Sequence, residues 1–137
     1  MKIEDQVVNL DLAKQLKELG FEQESLFWWA NMKSFWDGSF NWHIIQNPFN
    51  YFCSKRFKKT REKLTDYVSA YTVAEVLAIL PASVWDKNKE SIGCLEISKT
   101  DSGFVVGYAN LDEMIIDENL ANAGSKLLIY LKQNNLI

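Results

Sequence analysis

The sequence predicts an α+β domain: a largely antiparallel sheet built from two hairpins plus another strand, with about three helices packed on one face. Two observations carry this expectation. Apolar and polar residues alternate beside two turn signals, Asp37-Gly38 and Asp101-Ser102-Gly103, as strands with one buried face require. Elsewhere apolar residues recur at three- and four-residue spacing in three separate stretches, as helices with one buried face require. A chain of 137 residues lies in the usual range of one domain and can bury a core without staples, so residues 1–137 are expected to form a single globular unit.

In chain order, Asn9 is placed to cap a first helix whose apolar face is Leu12, Leu16 and Leu19, with Ala13 beside them, because a short polar side chain there accepts from the free N–H groups of the first turn. Gly20 ends it by supplying a left-handed residue, and Phe21 is expected to fold back on the last turn. Ser25 to Ala30 is dense in strand formers. Phe40, Trp42 and Ile44 alternate with Asn41, His43 and Ile45, predicting a hairpin about Asp37-Gly38 with Phe40 and Trp42 facing the core. Asn47-Pro48 breaks the pattern.

From Phe49 to Asp66 aliphatic residues are few and charges many, and a basic excursion from the fold is expected over residues 49–66. Tyr67 to Tyr71 reads as a strand. Thr72 with Glu75 three residues on is a capping box, opening a helix through Val73, Val76, Leu77 and Leu80 that must stop before Pro81. Pro81 to Ser91 reads as a loop. Leu95 and Ile97, then Phe104, Val106 and Tyr108, alternate in one sense and form the second hairpin, where Gly107 allows a bulge or the close packing of a large neighbour. A last amphipathic helix is expected from about Glu118 to Gln133, carrying Leu120, Ala123, Gly124, Leu127, Leu128 and Leu131 on one side. Gly124 on that apolar side predicts close contact with the sheet.

Apolar residues at 47%, charged residues at 24% and a formal charge of −3 describe an ordinary soluble protein with no global attraction to nucleic acid or anionic lipid. Met1 to Asp5 lacks an apolar run of signal-peptide type, and no stretch approaches the ~18 apolar residues of a membrane span, so a cytoplasmic protein without membrane contact is expected. Cys53 and Cys94 have no short spacing to each other or to the single histidine and are expected to be free, buried thiols rather than a metal or redox pair.

The functional lead is a juxtaposition. Ten of eighteen aromatic residues fall between Phe27 and Phe52, and Lys55, Arg56, Lys58, Lys59, Arg61 and Lys63 follow with Phe57 among them. Rings stack on bases and cations neutralise phosphates, so these six cations with Tyr51 and Phe57 are the candidate nucleic-acid contacts. The competing reading places the rings in the core and the cations on a solvated face. His43, the only histidine, is a candidate general base without an identifiable nucleophile. Asp112, Glu113, Asp117 and Glu118 are candidate ligands for a hard cation, but lack the alternating ligands and central glycine of a calcium loop. No cofactor, metal or catalytic residue is expected.

Four stretches together resemble small uncharacterised proteins of bacterial phages and related mobile elements: Asn9 to Gly20, Leu26 to Ala30, Ala70-Tyr71-Thr72-Val73-Ala74-Glu75 to Leu80-Pro81, and Leu127-Leu128-Ile129-Tyr130-Leu131 to Leu136-Ile137. The resemblance implies no catalytic motif. It favours a small non-catalytic interaction module that docks an unknown protein partner; the alternative is a nucleic-acid-binding accessory protein using the basic-aromatic segment 49–63.

Overall fold

The computed structural model describes residues 2–33, 36–46 and 66–137. A 3-10 turn (Ile3–Asp5) leads to helix α1 (Leu10–Glu18), strands β1 (Phe27–Lys33), β2 (Phe40–Gln46) and β3 (Tyr67–Ser69), and helix α2 (Val73–Ile79). Strands β4 (Ser83–Asp86), β5 (Ser91–Thr100), β6 (Gly103–Tyr108) and β7 (Met114–Asp117) follow, and helix α3 (Leu120–Gln133) closes the chain. Among the described residues this is an α+β fold of three helices and two antiparallel sheets, ordered β2-β1-β3 and β4-β5-β6-β7.

Both expected hairpins form, β1 pairing with β2 from Phe27 and Gln46 to Lys33 and Phe40, and β5 with β6 from Leu95 and Tyr108 to Thr100 and Gly103. The other expected strand, β3, joins the free side of β1, with Val68 opposite Trp29. The strands divide into two sheets because helices occupy the space between them: α1 packs on β3 and α3, and α3 packs on α2, β6 and β7. One buried cluster runs through these layers, from Val68 through Leu12 and Leu16 to Leu127, Leu128 and Leu131, then to Val106 and Tyr108.

Local signals set the helix ends. Asn9 Oδ1 accepts from the Leu12 N–H at 3.0 Å. Gly20 takes φ +84, its N–H donates to the Lys17 carbonyl, and that of Phe21 donates to Leu16, the two bonds of a Schellman motif. The Thr72 box closes in both directions: Thr72 Oγ1 accepts from the Glu75 N–H, and Glu75 Oε2 accepts from the Thr72 N–H at 2.7 Å. The same carboxylate accepts from the Ser25 hydroxyl and the Leu26 N–H, so it also ties the start of β1 to α2. Helix α3 is capped by Asn119, whose Oδ1 accepts from the N–H groups of Ala121 and Asn122. It ends on Asn135 at φ 53, with the Leu136 N–H returning to the Leu131 carbonyl.

The outer edge of β3 is closed to further pairing. Lys17 Nζ donates to the Tyr67 carbonyl at 3.0 Å, and Gln23 Oε1 accepts from the Ser69 N–H at 3.0 Å. These side chains use backbone groups that an open edge strand would offer to another chain.

Several expectations are corrected. The stretch from Pro81 to Ser91, expected as a loop, holds β4, and β7 between the candidate carboxylates Glu113 and Glu118 is a strand beyond those expected. Gly124 meets α2 rather than a sheet, since a Cβ there would lie 2.6 Å from Val76 Cγ1. Phe40 lies on the same face of β2 as Trp42 but is 58% exposed, whereas Trp42 is half-buried and packs against the main cluster. Ile45, expected on the polar side of β2, is buried with Trp28 and Ala30 in a second cluster. Strand β1 is thus covered on both faces, which explains its unbroken apolar run. Cys94 is exposed rather than buried. Asn47-Pro48, Cys53 and residues 49–65 of the expected excursion lie outside the described residues.

Candidate functional site

The candidate nucleic-acid contacts Tyr51, Lys55, Arg56, Phe57, Lys58, Lys59, Arg61 and Lys63 all lie outside the described residues. The other candidates do not converge. His43 is exposed on β2 opposite Ala30, on the face away from Trp42. Asp112 pairs with Lys89 at 2.7 Å, while Asp117 pairs with Lys126 of α3 at 2.7 Å, so these two carboxylates answer to different lysines. Burial pushes the Asp117 carboxyl up, but the hydrogen bond and charge of Lys126, with the Asn119 N–H and Asn122, leave it below the usual carboxylate range. That pair holds the β7–α3 corner and is structural.

Two surfaces remain. The first is an open groove of about 580 Å³ between α1 and the first sheet, lined by Lys14, Lys17, Glu18, Trp42, Asp66 and Tyr67. Lys14 and Lys17 stand three apart on α1 and so share one helix face. Lys14 Nζ sits 4.7 Å from the centre of the Trp42 ring, and Lys17 Nζ 5.6 Å from that of Tyr67. The half-buried ring of Trp42 is thereby a wall of the groove as well as a packing element. The aromatic-basic juxtaposition sought at residues 49–63 is present here in a different place, assembled from three elements. Only the spacing of Lys14 and Lys17 on the polar side of α1 hinted at it in the sequence.

The second surface is the outer face of the four-stranded sheet. The register puts Val84, Leu95, Val106, Tyr108 and Ile115 on the inner face against α3 and leaves Trp85, Ile92, Cys94, Met114 and Ile116 outside. Trp85 and Ile92 are directly opposite one another, at 50% and 66% exposed. Met114, 45% exposed, lies across Gly107 with its sulfur where a Cβ would stand, the close packing expected of that glycine. Ile116, 55% exposed, lies opposite Val105. Four large apolar side chains thus mark a face spanning three strand spacings, roughly 14 Å. Isolated exposed apolar residues are ordinary; a group on one regular face marks a contact surface.

Carboxylates outnumber lysines in this part of the chain. From Ser83 to Glu118 there are eight, against Lys87, Lys89 and Lys99; Asp86 is buried and Asp117 is paired with Lys126 behind the sheet, and of the other six Glu96 lies on the outer face itself. Tyr71 and Tyr108, the buried titratable groups of the core, serve the fold. Burial pushes the Tyr108 hydroxyl up to about 12, and it donates to the Pro81 carbonyl at 2.6 Å. Burial raises Tyr71 as well, reinforced by the charges of Glu75 and Glu22, and its hydroxyl donates to the Glu22 carbonyl and accepts from Gln23 Nε2. No helix among the described residues is long and apolar enough to cross a membrane. Comparison with protein-family models, curated proteins and solved structures found no match.

Proposed function

We propose that this protein is a small non-catalytic docking module that binds a partner protein through the outer face of the β4-β5-β6-β7 sheet. The observation that carries this reading is the exposure of Trp85, Ile92, Met114 and Ile116 on one side of a sheet whose other side packs Val84, Leu95, Val106, Tyr108 and Ile115 into the core. Aromatic side chains and methionine are enriched at protein interfaces, where they bury large areas. The occupant follows from charge: an apolar face that carries Glu96, in a segment with more carboxylates than lysines, is complementary to an apolar patch bearing Lys and Arg. A second copy would bring like charges together, so the partner is a different, basic-rimmed protein. The reading also accommodates the resemblance to small proteins of phages and mobile elements.

The test is capture from the native cell on immobilised protein, with Trp85→Ser/Met114→Ser beside the parent and the captured protein purified for direct binding. The reading expects direct binding that weakens with salt and is lost in the double variant, whose melting temperature stays near the parent's. Undiminished binding by the double variant, or self-association through this face, contradicts it.

A further inference from the structure

The groove of the first sheet has no part in that docking surface and carries its own argument. Among the described residues neither Lys14 nor Lys17 lies within ion-pair distance of a carboxylate, although Glu18 and Asp66 line the same groove. Their ammonium groups rest instead on aromatic faces, and Lys17 also donates to the Tyr67 carbonyl. A cation on an exposed ring is held weakly compared with one hydrogen-bonded to an anion. Two cations without an ion pair among the described residues, on one helix face beside the half-buried Trp42 and the exposed Tyr67, match a ligand that joins a flat ring to an anionic group.

We infer that the groove binds a nucleobase carrying a phosphate, presented by single-stranded nucleic acid. The phosphate oxygens accept from Lys14 and Lys17, and the base stacks on Trp42 in the position that the Lys14 ammonium vacates. Stacking of this kind tolerates any base, since every base has a π-face. Glu18 and Asp66 repel a polyanion beyond the two lysines, so the contact is short, one or two phosphates. A free nucleotide offers the same chemistry at a single phosphate, and the assay separates the two sources.

The experiment titrates oligothymidylate, and separately thymidine monophosphate, into the full chain while reading tryptophan fluorescence. The oligonucleotide is expected to quench the signal with a log–log salt slope between about −0.7 and −1.4, the value for one or two phosphates on a single strand. The mononucleotide should bind more weakly. Lys14→Gln and Lys17→Gln should each weaken the oligonucleotide by about tenfold or more, the scale of one lost charge-assisted hydrogen bond. Trp42→Phe should keep binding and lose most of the quenching. Lys14 rests on the Trp42 ring, whereas Lys17 also holds the Tyr67 carbonyl, so Lys14→Gln, with its melting temperature measured beside the parent's, separates lost binding from lost folding. Binding unchanged in both lysine variants overturns the inference, as does binding abolished by Lys58→Ala/Lys59→Ala alone. Mononucleotide binding equal to that of the oligonucleotide replaces a strand site with a nucleotide site and also overturns it.

Discussion

Two residues show how side chains with ordinary roles set the behaviour of larger parts. Glu75 accepts from Thr72, Ser25 and Leu26, so Thr72→Ala removes one cap at a cost of about 1 kcal/mol, whereas Glu75→Ala strips partners from four donors. Hydrogen bonds to a charged group contribute about 1.5–3 kcal/mol each, and Glu75→Ala is expected to lower the denaturant midpoint clearly more than Thr72→Ala does. Equal losses would show that the cap alone matters. Tyr108 makes a prediction in pH. Its folded-state pKa is raised to about 12 from an ordinary value near 10, so the unfolded chain releases the proton first. The stabilisation is fully present below pH 10 and is lost as pH rises from there through about 12. Tyr108→Phe should flatten the fall in melting temperature across that window, and an unchanged profile would assign the alkaline loss to other groups.

At the scale of elements, α2 and α3 meet where Gly124 lets Val76 approach. Alanine is the better helix former by about 1 kcal/mol, yet its methyl group would meet a branched, fully buried side chain, and overpacking costs about 1–3 kcal/mol. Gly124→Ala is therefore expected to destabilise, and Val76→Ala in the same chain should recover part of the loss. A Gly124→Ala chain more stable than the parent would refute the close contact. Elements with both a period and a punctuation mark were legible in the sequence: α1 between Asn9 and Gly20, α2 between Thr72 and Pro81, and the β5–β6 hairpin at Asp101-Ser102-Gly103. Strand β4 was not legible, because its pattern is inverted. Asp86 is buried with its carboxylate accepting from the Asn88 N–H, Trp85 faces outward, and the turn after it has no glycine, using Glu90 at φ 48 instead. Strand β7 offers three apolar residues in a row, which hides a period of two. Ile45 misled for a related reason, since β1 and β2 have apolar neighbours on both faces.

Across the whole molecule the same inversions make the candidate surfaces. Trp85, Ile92 and Ile116 break the binary pattern on the outer face of the second sheet, where Met114 packs over Gly107, and such breaks are expected at functional sites. The first sheet, with its edge closed by Lys17 and Gln23 and its groove lined by Lys14 and Trp42, is a separate surface with separate chemistry. The proposal that the outer face of the second sheet holds a basic-rimmed protein is decided by the affinity of the purified partner for the parent, for Trp85→Ala and for Glu96→Gln, at two salt concentrations. Trp85→Ala should cost about 2 kcal/mol or more, as expected of a tryptophan that anchors an interface, and Glu96→Gln should lessen the salt dependence. Affinities equal to the parent's in both variants at both salt concentrations would contradict the claim.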